Sequence, residues 1–345
     1  MSRRMYGIDL GTSQVKILKK GVGVVLDQKN VIAIANKNSI IATGDDAYEM
    51  FEKAPANINV SYPVQFGVIA EIKYMQLLLN EFLKHTVSRT KGFGGGADFL
   101  IAVPSDITEV EKHSFHDLIA ASEVKAKNIL LVEKPIAAAL GMGLDIFHAN
   151  GVMVVDIGAA TTEISILSLG GIVLSKLIPI GGNRLDESIK TFIKKRYNLV
   201  IGDKTAEYIK KELVSAFPKE KESLFACGRN VVTGLPCEME IYSSEVNEVV
   251  KEHLVTIIES ARMILERTPP EISADIYRAG VYVTGGTANL HGLADLFHNE
   301  TDLKINLAED AENTVALGLG VLMKEMESGN KLANNVIHTI SKRRK

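Results

Sequence analysis

Apolar positions along the chain switch repeatedly between a two-residue and a 3.6-residue period, so short strands and amphipathic helices alternate. Residues 71–84 carry the helical pattern, 99–103 form a short apolar strand, and a helix starts at Thr108 with Glu109 and Glu111 in its first turn. A strand over 128–132 leads into an alanine-rich helix over 135–144, and Gly170-Gly171 marks a hairpin turn. Residues 185–226 and 244–266 read as mostly amphipathic helix, and a strand over 281–283 ends in Thr284-Gly285-Gly286. The segment 88–96 is too rich in glycine for a regular element, and the tail from 330 is polar and ends in five basic or hydroxyl residues.

Two stretches of this pattern are copies of one another. Residues 7–17 (GIDLGTSQVKI) and 154–164 (VVDIGAATTEI) each have a β-rich entry, an Asp, a small-residue turn with Thr, and an alternating exit strand. Each is the outline of a hairpin, one in either half of the chain. Such a duplication predicts two similar α/β domains facing each other across a cleft.

Composition narrows the function. A chain of 345 residues is long for one domain and comfortable for two. The net charge of -3 argues against a nucleic-acid partner, which would call for a basic face. No apolar run reaches the ~18 residues of a spanning helix. Met1-Ser2-Arg3-Arg4 leads straight into a strand-like segment, so no signal peptide is expected. Cys227 and Cys237 fit no metal or redox spacing, and His113 and His116, three apart on a helix, have no further ligands near them.

The duplicated hairpins carry the candidate chemistry. A nucleoside triphosphate needs close backbone N–H groups, hydroxyl donors and carboxylates that hold Mg²⁺ through water. Gly11 and Gly158 remove the Cβ that would block close approach; Thr12, Ser13, Thr161 and Thr162 offer hydroxyls; Asp9 and Asp156 end the entry strands. The glycine pair Gly285-Gly286, followed by Thr287, leaves room for a flat base against the backbone. Glu207 and Lys210 share one helix face, either as a solvated ion pair or as a contact to the nucleoside, and the setting favours the contact.

These pieces, in this order, resemble the phosphate, connecting and adenosine motifs of the actin/Hsp70 superfamily. Residues 107–112 (ITEVEK), 168–173 (SLGGIV), Gly181-Gly182, 232–236 (VTGLP) and 268–276 (TPPEISADI) resemble more specifically the MreB-type bacterial actins, the rod-shape-determining family. The likeness runs from about residue 5 to 323, with departures that suggest a divergent paralogue.

The resemblance implies an α/β actin/Hsp70-like ATPase fold of two duplicated RNase H-like domains around a nucleotide cleft, each with a small subdomain. Subdomain IA would comprise 1–33, 68–148 and 318–345, IB 34–67, IIA 149–184 and 247–317, and IIB 185–246. The cofactor would be ATP, with GTP as the alternative, and Mg²⁺ facing Asp9 and Asp156. Asp9, Gly11, Thr12, Ser13 and Gln14 would form the first phosphate loop, with Lys16 standing where actins carry a phosphate-contacting lysine. Asp156, Gly158, Ala159, Thr161 and Thr162 would form the second, next to Gly181 and Gly182. Glu207, Lys210, Gly285, Gly286 and Thr287 would hold the nucleoside.

Two departures stand out. The second loop has Gly158-Ala159-Ala160 where the family usually has three glycines. The family also places a water-positioning carboxylate immediately before Pro135, where this chain has Lys134, with Glu133 one residue earlier and expected to point the other way. The resemblance implies cytoskeletal filaments involved in cell shape, built from paired protofilaments. They would lie in the cytoplasm at the inner face of an anionic membrane, in the company of other MreB-type proteins. Slow hydrolysis is expected, with Thr161 as the remaining water-orienting hydroxyl. The alternative is a nearly inactive, nucleotide-gated scaffold that copolymerises with active relatives or serves motility. Phe93, flanked by Arg89 and Lys91, is one membrane candidate; a stripe of Leu332, Val336, Ile337 and Ile340 is another, and that stripe fits docking on the protein's own body equally well.

Overall fold

The computed structural model describes residues 4–36, 39–87, 96–217, 222–330, 333 and 335–339. Its frame is one five-stranded motif built twice. In the first sheet, Met5–Leu10 pairs antiparallel with Gln14–Lys19, which pairs antiparallel with Gly23–Lys29; on its other edge Met5–Leu10 runs parallel to Ala97–Val103 and, beyond it, Ala126–Glu133. In the second sheet, Val152–Ile157, Thr162–Ser168 and Gly171–Ile178 repeat the antiparallel part, and Val281–Thr284 and Ile305–Leu307 repeat the parallel part. All seven residues of Ala97–Val103 are buried, as expected where helices cover both faces of a parallel strand.

Two helices, Lys134–Gly141 and Thr314–Ser328, pack together between the sheets, and one apolar cluster draws on both sheets and both helices. Their contact needs glycine. A Cβ on Gly318 would come 1.7 Å from the Ala137 carbonyl oxygen, and one on Gly141 1.9 Å from that of Thr314. Each half also carries a three-stranded lobe: Ser39–Thr43, Ile32–Ala35 and Ile58–Ser61 on the first, Leu199–Val200, Ser223–Asn230 and Pro236–Tyr242 on the second. No described helix is long and apolar enough to cross a membrane.

The start at Thr108 is closed by a capping box, with Thr108 N–H donating to Glu111 Oε2 at 2.7 Å and Glu111 N–H to Thr108 Oγ1 at 3.2 Å. The helical reading of 185–226 is corrected. Helix Gly182–Tyr197 ends at Asn198, which is left-handed at φ 51; helix Asp203–Leu213 follows; and Ser223–Asn230 is a strand. That strand alternates exposed and covered positions with a period of two, with Ser223, Phe225, Cys227 and Arg229 facing outward.

Of the tail stripe, Val336 is buried in the cluster around the two central helices, Ile337 packs against it, and His338 pairs with Leu131 in an antiparallel bridge. The described part of the stripe therefore covers the protein's own core. Leu332, Ile340, Arg89, Lys91 and Phe93 lie outside the described residues.

Candidate functional site

A cleft of about 1440 Å³ separates the halves, and both duplicated hairpins open into it. Their turns are superposable in chemistry: Gly11 N–H donates to the Gln14 carbonyl at 2.9 Å, and Gly158 N–H to that of Thr161 at 2.9 Å. The strand register places Asp9 opposite Lys16 and, at the equivalent position, Asp156 opposite Glu163. Asn30 ties the first turn down by donating to the Gly11 carbonyl at 2.7 Å, and Gly67 N–H donates to Thr12 Oγ1 at 3.2 Å.

The floor of the cleft is crowded with charge. Lys134 Nζ lies 2.9 Å from Asp9 Oδ1 as an ion pair. Burial pulls the Lys134 pKa down, but Asp9 first, then Asp156 and Glu163, outweigh it and hold it above the ordinary lysine range. Burial pushes Asp156 up to about 6 despite the opposing field of Lys134, with the Asp9 charge adding to the rise. It pushes Glu163 up to about 7, although Ser105 donates to that carboxylate from its N–H at 2.7 Å and from its hydroxyl. Lys16 is turned elsewhere, donating to the Glu312 carbonyl.

Toward the mouth, Gly285 has φ +89 and a Cβ there would come 2.4 Å from both Asp156 Oδ1 and the Ile157 carbonyl, so only glycine fits. Thr287 Oγ1 donates to the Gly158 carbonyl at 3.0 Å. Glu207 and Lys210 both face the cleft but do not pair with each other. Lys210 Nζ contacts Asp186 Oδ2 at 2.8 Å and the Gly182 carbonyl at 3.1 Å. Glu207 takes Lys211 at 2.8 Å and the Tyr48 hydroxyl at 2.8 Å, with Lys29 at 3.8 Å. Burial opposes the Glu207 charge, yet these donors hold its carboxyl down at about 2. Tyr48 belongs to the lobe of the other half, so this contact closes the mouth; Asp203 N–H donating to Glu52 at 2.8 Å does the same nearby.

The fold thus gathers Asp9, Gly11, Thr12, Ser13, Gln14, Lys16, Lys134, Asp156, Gly158, Ala159, Thr161, Gly182, Glu207, Lys210, Gly285, Gly286 and Thr287 around one cleft. Three expected site residues fall outside its lining. Thr162 is buried and donates to the Ile180 carbonyl at 2.7 Å, because the residue after the turn alternates to the core face of the strand. Gly181 sits behind the loop, where a Cβ would strike the Gly158 carbonyl at 2.6 Å. Glu133 turns from the cleft toward His338, 3.8 Å away. Glu163, Asp186 and Tyr48 line the cleft without a prior expectation, and Ser105, the donor to Glu163, stands behind it, also without one. Aligning the two hairpins residue by residue would have flagged Glu163, which matches Lys16; the others come from distant segments with no sequence signal.

The chain matches the MreB/Mbl protein family over residues 3–331. It is 39% identical to the cell shape-determining protein Mbl of Bacillus subtilis over 329 residues, covering 95% of this chain and 98% of Mbl. It is 37% identical to the cell shape-determining protein MreB of Escherichia coli K12 over 326 residues, 93% of each. The crystal structure of MreB5 of Spiroplasma citri bound to AMPPNP superposes with a TM-score of 0.88 at 35% identity, covering 95% of this chain and 98% of that one. Sequence, duplicated architecture and cleft agree, and the chain belongs to the MreB/Mbl family of the actin/Hsp70 fold.

Proposed function

We propose that this protein binds ATP, or GTP in its place, in the interdomain cleft, polymerises into cytoskeletal filaments that act in cell shape, and hydrolyses its nucleotide slowly. The observation that carries the reading is Lys134 at the cleft floor, 2.9 Å from Asp9 and beside both phosphate-type hairpins. In-line attack on a γ-phosphate needs a held water and an acceptor for its proton. A lysine ammonium only donates. Thr161 lines the cleft and can orient a water, but a hydroxyl is a weak base.

Support for binding comes from the cleft and from the MreB5 relative, which was solved with AMPPNP. Support for a shape role comes from the cell shape-determining relatives. Head-to-tail stacking through a heterologous interface yields a fibre, here in paired protofilaments and with room for other MreB-type subunits. Low turnover favours the variant reading of a long-lived scaffold that copolymerises with active relatives. A location in the cytoplasm on an anionic membrane rests on Phe93 and the basic end of the tail.

Asp9 and Asp156 are the carboxylates expected to face Mg²⁺, but Lys134 already engages Asp9. Among the described residues no group of three or more His, Cys, Asp or Glu side chains is spaced to hold an ion. With an ammonium in contact with one of its two carboxylates, the cleft floor fits a divalent cation poorly.

The test is phosphate release by wild type and Lys134→Glu at matched polymer mass, alongside pelleting and electron microscopy with ATP. Wild type should form filaments and turn over slowly, and Lys134→Glu should be faster by on the order of 10²-fold. Wild-type turnover equal to that of the variant, or a protein that stays monomeric at every salt and concentration, would sink the reading. Equal liposome sedimentation of wild type and Phe93→Ser lacking the residues after Asn330 would remove the membrane part.

A further inference from the structure

Lys134 is placed at cost. It is the first residue of helix Lys134–Gly141, where the positive end of the helix dipole disfavours a cation. Its side chain is only 13% exposed, and burial disfavours the charge again. What offsets both is the acidic floor: Asp9 in contact, and Asp156 and Glu163 close enough to stabilise the ammonium. The helix start after Glu133 fixes the backbone, so the ammonium is aimed at the end of Met5–Leu10, where the phosphate-type turn begins.

This is the location in which two carboxylates and a triphosphate would otherwise demand a divalent ion. An ammonium is a compact point charge with three donors, able to hold Asp9 and phosphate oxygens together. It also occupies one of the two carboxylates and repels an incoming dication. Lys16, the buried lysine of the first hairpin, is committed to the Glu312 carbonyl and leaves this task to Lys134.

We infer that the Lys134 ammonium is the resident counter-cation of the cleft, so that a nucleoside triphosphate binds here with little dependence on a divalent metal. The inference rests on the cleft being a nucleotide site. Calorimetric titration with AMPPNP, in excess Mg²⁺ and in excess EDTA, tests it on wild type and on Lys134→Gln, which keeps the length and removes the charge. Wild-type affinity should change by less than about fivefold on chelation, and that of Lys134→Gln should fall by about 30-fold or more. Chelation that weakens both proteins alike, by 30-fold or so, would overturn the inference while leaving the nucleotide site intact. Absence of AMPPNP binding in both buffers would instead overturn the nucleotide reading beneath it. Should Lys134→Gln fail to fold, Mn²⁺ bound to the wild-type AMPPNP complex, counted by electron paramagnetic resonance, decides: weak Mn²⁺ binding supports the inference, and one tightly held ion per nucleotide refutes it.

Discussion

The two hairpins that meet in the cleft share a backbone and differ in charge. Both turn on a glycine whose N–H closes onto a carbonyl three residues ahead, at 2.9 Å in each case. Opposite the turn-entry Asp, however, the first has Lys16 and the second has Glu163, and Lys134 leans on Asp9 at 2.9 Å. In the second hairpin, burial carries Asp156 to about 6 and Glu163 to about 7. The duplication preserved the backbone of the turn and let side-chain electrostatics diverge.

Removing the cation from the shared floor should break this asymmetry with the largest effect. Lys134→Met leaves Asp9, Asp156 and Glu163 facing one another, and uncompensated buried charge of this kind costs about 3–5 kcal/mol. Urea unfolding of the nucleotide-free protein at pH 8 should show that loss. A variant as stable as wild type would mean the acidic floor does not need Lys134.

The pH dependence of stability isolates the second hairpin. Glu163 is raised from 4.5 to about 7 in the folded protein, so the native state holds its proton over a window where the unfolded chain releases it. Stability therefore falls as pH rises from about 4.5 to 7, by about 3 kcal/mol. Glu163→Gln should reduce that slope, leaving the contributions of Asp156, between about 4 and 6, and of the other raised acids Asp27 and Asp186. An unchanged slope in denaturant titrations across pH 5 to 7 would remove Glu163 from the account.

The backbone equivalence can be sharpened by alanine at each turn glycine. A Cβ at Gly11 would lie 2.9 Å from the Gln14 carbonyl oxygen, and one at Gly158 3.2 Å from that of Thr161. Gly11→Ala should cost about 1–2 kcal/mol in thermal unfolding and Gly158→Ala less, because the second turn has room to give. The reverse order would show that the two turns are not equivalent supports.

The smallest effect is expected at the mouth, where the halves touch through Tyr48 and Glu207 at 2.8 Å. Tyr48→Phe removes one hydrogen bond of about 1 kcal/mol and should speed AMPPNP release up to about fivefold in a chase experiment. No change would mean that the other donors to Glu207 hold the cleft shut.

Much of this was legible in order along the chain. The capping box at Thr108 was readable because its partners are three residues apart, and the hairpins because their Asp, Gly and Thr recur together. The fold itself followed from the duplication, since two copies of one hairpin motif require two facing domains. The failures share a cause. The 185–226 segment reads as helix because its apolar spacing suits a helix up to Leu213 and the change to a two-residue period comes only at Ser223. Thr162 reads as part of the loop because the sequence does not say at which residue a turn becomes a strand, and one residue flips the side chain to the other face.

The sequence by itself determined that this chain has two like halves with the same Asp, Gly and Thr turn in each, and that a lysine, Lys134, stands immediately before Pro135. Those are facts of residue type and spacing, which local physics reads directly. Only the tertiary structure decided that the lysine pairs with Asp9, that Ser105 clamps Glu163 from the opposite half, and that Tyr48 reaches Glu207. These contacts join residues 58 to 159 positions apart, and nothing in either partner's neighbourhood marks the other. Distance along the chain carries no charge, whereas distance across a cleft does.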